Sequence, residues 1–205
     1  MLCRVESENF RFAIYFGEFS FAGVLEELKT EGAQSSEILV FPFGTLPEID
    51  LSRELSVAPN PMSELCKISE KTQGAVFCGV ETRLSEERFI GAAVFFKGAL
   101  VDIVNRTSNI FGDAYVETAK IKVFSLKAGR IGLLIDTDCL LAENWTNLAP
   151  ACDVILCINR GNSEDFRAAV REISEAEKVI TGGNSRLSLF PYLYVDKESV
   201  EWAGQ

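Results

Sequence analysis

Short apolar runs alternate with amphipathic stretches along most of the chain. Phe10 to Phe16, FRFAIYF, predicts a strand. Val24 to Gln34 carries apolar residues at helical spacing, with a glycine at its end, and predicts a helix. Glu37 to Phe43, EILVFPF, predicts a buried strand ended by Pro42, whose missing N–H falls where pairing stops. Thr45 to Pro61 is expected to be loop with one helical turn. Ser63 to Gly74 reads as a helix capped by Ser63, and AVFCGVET as the strand after it. Arg88 to Arg106 predicts two strands joined at Lys97-Gly98, and residues 107–119 a long polar loop. Lys120 to Asp136 gives a second hairpin around Lys127 to Gly129. LLAENWTNLAPA then predicts a helix, CDVILCIN a strand, and SEDFRAAVREISEAEK a helix capped by Ser163 with acids in its first turn. VITGGNS and LFPYLYVD are the last expected strands.

Mixed runs of this kind predict an α/β protein whose sheets are covered by helices on one face. The hairpins argue against a purely parallel sheet. No linker or repeat interrupts the 205 residues, so 1–205 is expected to form one domain. The net charge of −10 would repel phosphate backbones and anionic membranes, which argues against nucleic-acid and membrane partners. No apolar run approaches the roughly 20 residues of a membrane span. The N-terminal MLCRVESENF lacks the apolar core of a signal peptide, so a cytoplasmic location is expected. The six cysteines form no C-x-x-C pair and read as reduced and mostly buried. Histidine is absent, which excludes a histidine-based nucleophile relay, an imidazole base or histidine-ligated zinc within one chain.

Four segments in order carry a resemblance. EILVFPF, FIGAAVFFKGALVDIVNR, GRIGLLIDTDCLLAENW and APACDVILCIN together resemble the nitrilase, or carbon–nitrogen hydrolase, superfamily. REISEAEKVITGGNS is similar to the family's later helix and strand, after which the C-terminal part looks shortened. The resemblance implies a four-layer α-β-β-α sandwich with its site at one end of the two sheets. It implies no cofactor and no metal, and a homodimer formed through LLAENWTNL, with Trp145 as a candidate anchor.

Family enzymes use a Glu as base, a Lys at the oxyanion and a Cys as nucleophile, because a thiolate needs both a base and nearby positive charge. The matching positions here hold Phe43 after Phe41-Pro42, Arg106 after Val104-Asn105, and Asp136 after Ile135. Phenylalanine takes no proton, and arginine holds an anion without shuttling protons. A lone Asp136 at a buried strand end would be costly, so Arg106 is expected to pair with it, with Phe43 filling the space of the lost base.

Further pocket candidates are Glu117 in the polar loop, Asp138, Cys139 and Glu143. Cys139 beside carboxylates reads as structural, since such neighbours raise a thiol's pKa. Glu143 reads as a structural hydrogen-bond acceptor. The acids 136, 138 and 143 are not expected to hold a metal, and the glycines of NRGN and TGGNS lack a phosphate-loop pattern. The expected protein is therefore a nitrilase-like chain lacking amidase or nitrilase activity, acting in small-molecule binding, regulation or assembly. The alternatives are an active hydrolase of small amide C–N bonds working through Asp136 and Arg106, and a ligand-binding domain on an unrelated α/β fold.

Overall fold

Residue alternation along three consecutive strands explains how the layers form. On β9 (Gly129–Ile135), Ile131, Leu133 and Ile135 face one cluster and Leu134 another. On β10 (Val154–Ile158), Val154, Leu156 and Ile158 join the first and Ile155 and Cys157 the second. On β11 (Tyr192–Val195), Leu193 and Val195 face inward, and Tyr192 and Tyr194 outward. Successive strand side chains point to opposite faces, so each strand is buried on both.

These strands belong to a computed structural model that describes residues 2–17, 20–30, 37–53, 61–72, 74–118, 121–161, 163–176 and 191–204. One sheet is ordered β12-β11-β10-β9-β8, with β12 Val200–Ala203 and β8 Lys122–Leu126 antiparallel at its edges. β9, β10 and β11 run parallel within it. The other sheet is ordered β1-β2-β3-β5-β6-β7. Its strands are β1 Leu2–Glu6, β2 Arg11–Tyr15, β3 Glu37–Phe41, β5 Ala75–Leu84, β6 Glu87–Phe96 and β7 Ala99–Asn105. The two-residue β4, Ile49–Asp50, pairs with the end of β5.

The inner faces meet in one core: Phe12, Ile14, Val40, Phe77 and Val94 lie in a cluster with Ile131, Leu133, Leu156 and Val195. Helices α1 (Phe21–Thr30) and α2 (Pro61–Thr72) cover the first sheet through Val24, Leu28, Leu65 and Ile68. Helices α3 (Ala142–Leu148) and α4 (Glu164–Ala176) cover the second through Trp145, Leu148 and Val170. The result is the expected α-β-β-α sandwich. α3 approaches β9 closely: a Cβ at Gly132 would lie 2.8 Å from Cys152 Sγ and 3.2 Å from Leu148.

Several boundaries differ from expectation. α1 begins at Phe21 because Ser20 caps it, its Oγ accepting from Gly23 N at 3.0 Å. α2 begins at Pro61, a residue suited to the first helical position, so Ser63 lies inside the helix and is not its cap. Ser163 does cap α4. The edge strands β1 and β12 and the short β4 were not expected. VITGGNS lies outside the described residues.

Candidate functional site

β9 ends at Ile135, and the chain turns sharply into a 3-10 segment, Asp136–Leu140. Asp136 has φ 50°, a left-handed backbone that costs an L-residue other than glycine on the order of 1 kcal/mol. Its side chain meets Arg106, which follows β7 in the opposite sheet. Arg106 Nη1 donates to Asp136 Oδ2 at 2.9 Å. The same guanidinium donates to Asp113 in a two-pronged contact, Nη2 to Oδ1 at 2.6 Å and Nη1 to Oδ2 at 3.1 Å. Arg106 is 0% exposed and Asp136 6%. Burial works against the Arg106 charge, but the bonds to Asp113 and then Asp136 outweigh it and hold its pKa above the ordinary value. The Arg106 hydrogen bond holds the Asp113 carboxyl below its ordinary value. The pairing of Arg106 with Asp136 expected from the sequence is present, and Asp113 completes it.

Asp138 fastens the 107–118 loop to the same turn. Its carboxylate accepts from Thr107 N at 3.0 Å, Thr107 Oγ1 at 2.8 Å and Ser108 Oγ at 2.9 Å. Burial pushes its pKa up, and these donors pull the other way without cancelling the rise. Thr137 Oγ1 donates to Ser108 O at 2.7 Å. Within the loop, Asn109 Nδ2 donates to Asp113 O, and Asp113 N donates back to Asn109 Oδ1. The tip holds Ile110 and Phe111 out, 51% and 70% exposed.

Tyr115 sits beside this network. Its hydroxyl donates to Glu81 Oε2 at 2.6 Å, and its ring lies 5.0 Å from the guanidinium carbons of Arg88 and Arg160. Arg160, just past β10, reaches Asp113 Oδ2 at 3.5 Å. Asp113, Tyr115 and Arg160 are site residues that sequence reasoning missed. Asn109 and Gly112 mark a tight turn that brings Asp113 back toward Arg106, and this was the available signal.

Phe43 lies in the inter-sheet core. A Cβ at Gly79 would stand 2.8 Å from the Phe43 ring, so β5 leaves room for that ring by carrying a glycine. Cys139 is fully buried; burial, Cys157 and the nearby acids push its thiol well above the ordinary value. Glu117 is exposed on the loop, outside the Arg106 network. Glu143 is exposed in the first turn of α3, where a carboxylate complements the helix N-terminus. Trp145 is corrected as an interface anchor. It is 2% exposed within the chain, donates Nε1 to Cys139 O at 2.9 Å and packs edge-on against Tyr192. Among the described residues, no group of three or more His, Cys, Asp or Glu side chains could hold a metal ion. None of the described helices is long and apolar enough to cross a membrane.

The fold is that of the nitrilase superfamily, a mixed α/β sandwich of two sheets flanked by helices. Among solved structures, the carbon–nitrogen hydrolase of Helicobacter pylori G27 superposes with TM-score 0.63 at 12% identity, covering 90% of this chain and 72% of that one. Saccharomyces cerevisiae Nit3, of branch 10 of the superfamily, gives 0.62 at 11%, covering 86% and 67%. An amidase from Nesterenkonia sp. gives 0.61 at 15%, covering 94% and 78%. At such identities the likeness shows the fold alone, and it removes the reading of an unrelated α/β fold. No family model matches the sequence, and no curated protein matches it.

Proposed function

We propose that this chain is a nitrilase-fold protein without amidase or nitrilase activity, whose former reactive end serves as a brace in a binding or assembly module. The contact between Arg106 and Asp136 at 2.9 Å carries this reading. By resemblance these residues occupy the lysine and nucleophile positions, and here each neutralises the other. Asp113 engages both terminal nitrogens of the same guanidinium, and Phe43 stands where the base would be. The brace fixes a loop that displays Phe111, which supports a role in assembly. Six free cysteines support a reducing, cytoplasmic setting. A homodimer through the exposed residues of α3 outside the cleft, such as Glu143 and Thr146, belongs to the same proposal, with Trp145 excluded from its surface.

The rival reading is an amide hydrolase with Asp136 as nucleophile. The left-handed backbone at Asp136 favours it, because strained turns gather at reactive centres. Ammonia release from a panel of small primary amides separates the two. We expect none above the buffer rate, with or without Asp136→Ala; release abolished by that substitution would establish the rival. In a glutamate-to-glutamine mutant of the Nesterenkonia sp. AN1 amidase, acrylamide adds at the active-site cysteine. Here Cys139 should stay unmodified in the native protein under acrylamide, read by mass spectrometry.

A further inference from the structure

We infer that a cleft beside the Asp138 turn binds small uncharged molecules rich in hydrogen-bond donors. The cleft measures about 400 Å³ and is lined by Thr107, Thr118, Ile121, Asn144 and Asn147. That volume admits a small molecule, which the cleft would leave partly open to solvent and so hold weakly. It contains none of Arg106, Asp113 or Asp136, so the inference stands whether or not Asp136 does chemistry.

The walls set the ligand's chemistry. Thr107 Oγ1 donates its hydrogen to Asp138 Oδ1 at 2.8 Å. Thr118 Oγ1 directs its hydrogen to the backbone oxygens of Asn105, at 3.2 Å, and Arg106, at 3.4 Å. A hydroxyl carries one hydrogen, so both threonines meet a ligand as acceptors. Asn144 spends one amide hydrogen on Asp138 O at 3.0 Å and keeps its other hydrogen and its side-chain oxygen. Asn147 adds an exposed carboxamide, and Ile121 one aliphatic surface. None of these five side chains is ionisable, and the chain's charge of −10 disfavours an anion further. The matching ligand is neutral and presents several O–H or N–H groups. A sugar-like polyol and a ureido compound share that chemistry.

Titration of the isotope-labelled full chain with glucose, N-methylurea and glucuronate, followed by amide NMR shifts, tests this. Saturable millimolar shifts at Thr107, Thr118, Asn144 and Asn147 are expected with at least one neutral probe and not with glucuronate. Glucose alone would assign the polyol source, and N-methylurea alone the ureido source. Thr118→Val and Asn147→Leu should each weaken binding about 3- to 10-fold, with unchanged thermal unfolding showing an intact fold. Equal response to glucuronate, shifts confined to other regions, affinity indifferent to both variants, or no saturable shift below about 50 mM would overturn it. So would an Asn147→Leu change in oligomeric state with no probe bound by the wild type, which would make the cleft part of a contact between copies.

Discussion

Two aspartates follow parallel strands of the same sheet, and different contacts dominate around each. Asp196, after β11, is closed chiefly by its own turn: it accepts from Glu198 N at 2.9 Å, Ser199 N at 2.7 Å and Ser199 Oγ at 2.7 Å, while Arg167 of α4 stands farther off at 3.7 Å. Asp136, after β9, is held by Arg106 from the other sheet, at the cost of a left-handed backbone. The first is mainly a local turn, whose three short hydrogen bonds come from two near neighbours, Glu198 and Ser199. The second exists only because two sheets and a loop meet. A carboxylate at a strand end is therefore not in itself a sign of chemistry; what closes around it decides.

Substitutions should separate the two turns. Arg106→Leu should be the most damaging, because it strips a buried partner from both Asp113 and Asp136; we expect about 3–5 kcal/mol lost in denaturant unfolding. Asp136→Ala should cost about 3 kcal/mol by leaving Arg106 with one partner, and Asp136→Asn about 1 kcal/mol less, since asparagine tolerates the left-handed backbone. Asp196→Ala should cost about 1–2 kcal/mol, as a lost local cap does. If Asp196→Ala proves worse than Asp136→Ala, the contrast between the turns fails.

Acid should act on the Arg106 network through Asp113. Arg106 holds the Asp113 carboxyl below its ordinary value of 3.8, so its contribution is present above that value. It is lost as pH falls through the lower folded pKa. Unfolding free energies measured from about pH 5 downward should fall less steeply in Asp113→Asn than in the wild type, with Asp50 and Asp153 contributing equally to both. Smallest of all, Phe111→Ser should change stability by no more than about 0.5 kcal/mol, because the side chain is largely exposed; a change in self-association by light scattering would reveal its role in assembly.

Much of the sandwich was legible because buried strands write their two faces as continuous apolar runs, as VILCI does in β10. β1, LCRVE, and β12, VEWA, were not, because edge strands are short and carry charge. Trp145 misled: an exposed anchor was expected, yet Leu148 lies one turn on, and that spacing marks the core-facing side of α3. Arg106 and Asp136 could be paired from the sequence because a buried charge demands a partner. Asp113 could not, since a loop's fold is set by contacts such as Asn109 with Asp113 and Asp138 with Thr107, which no periodicity records.

A double-mutant cycle between Arg106 and Asp136, using Arg106→Leu, Asp136→Asn and their combination, tests the brace most directly. We predict a coupling free energy above about 1.5 kcal/mol in equilibrium unfolding, as for buried charged neighbours. Additivity within about 0.3 kcal/mol would contradict it, leaving two charges that share a site without holding it together.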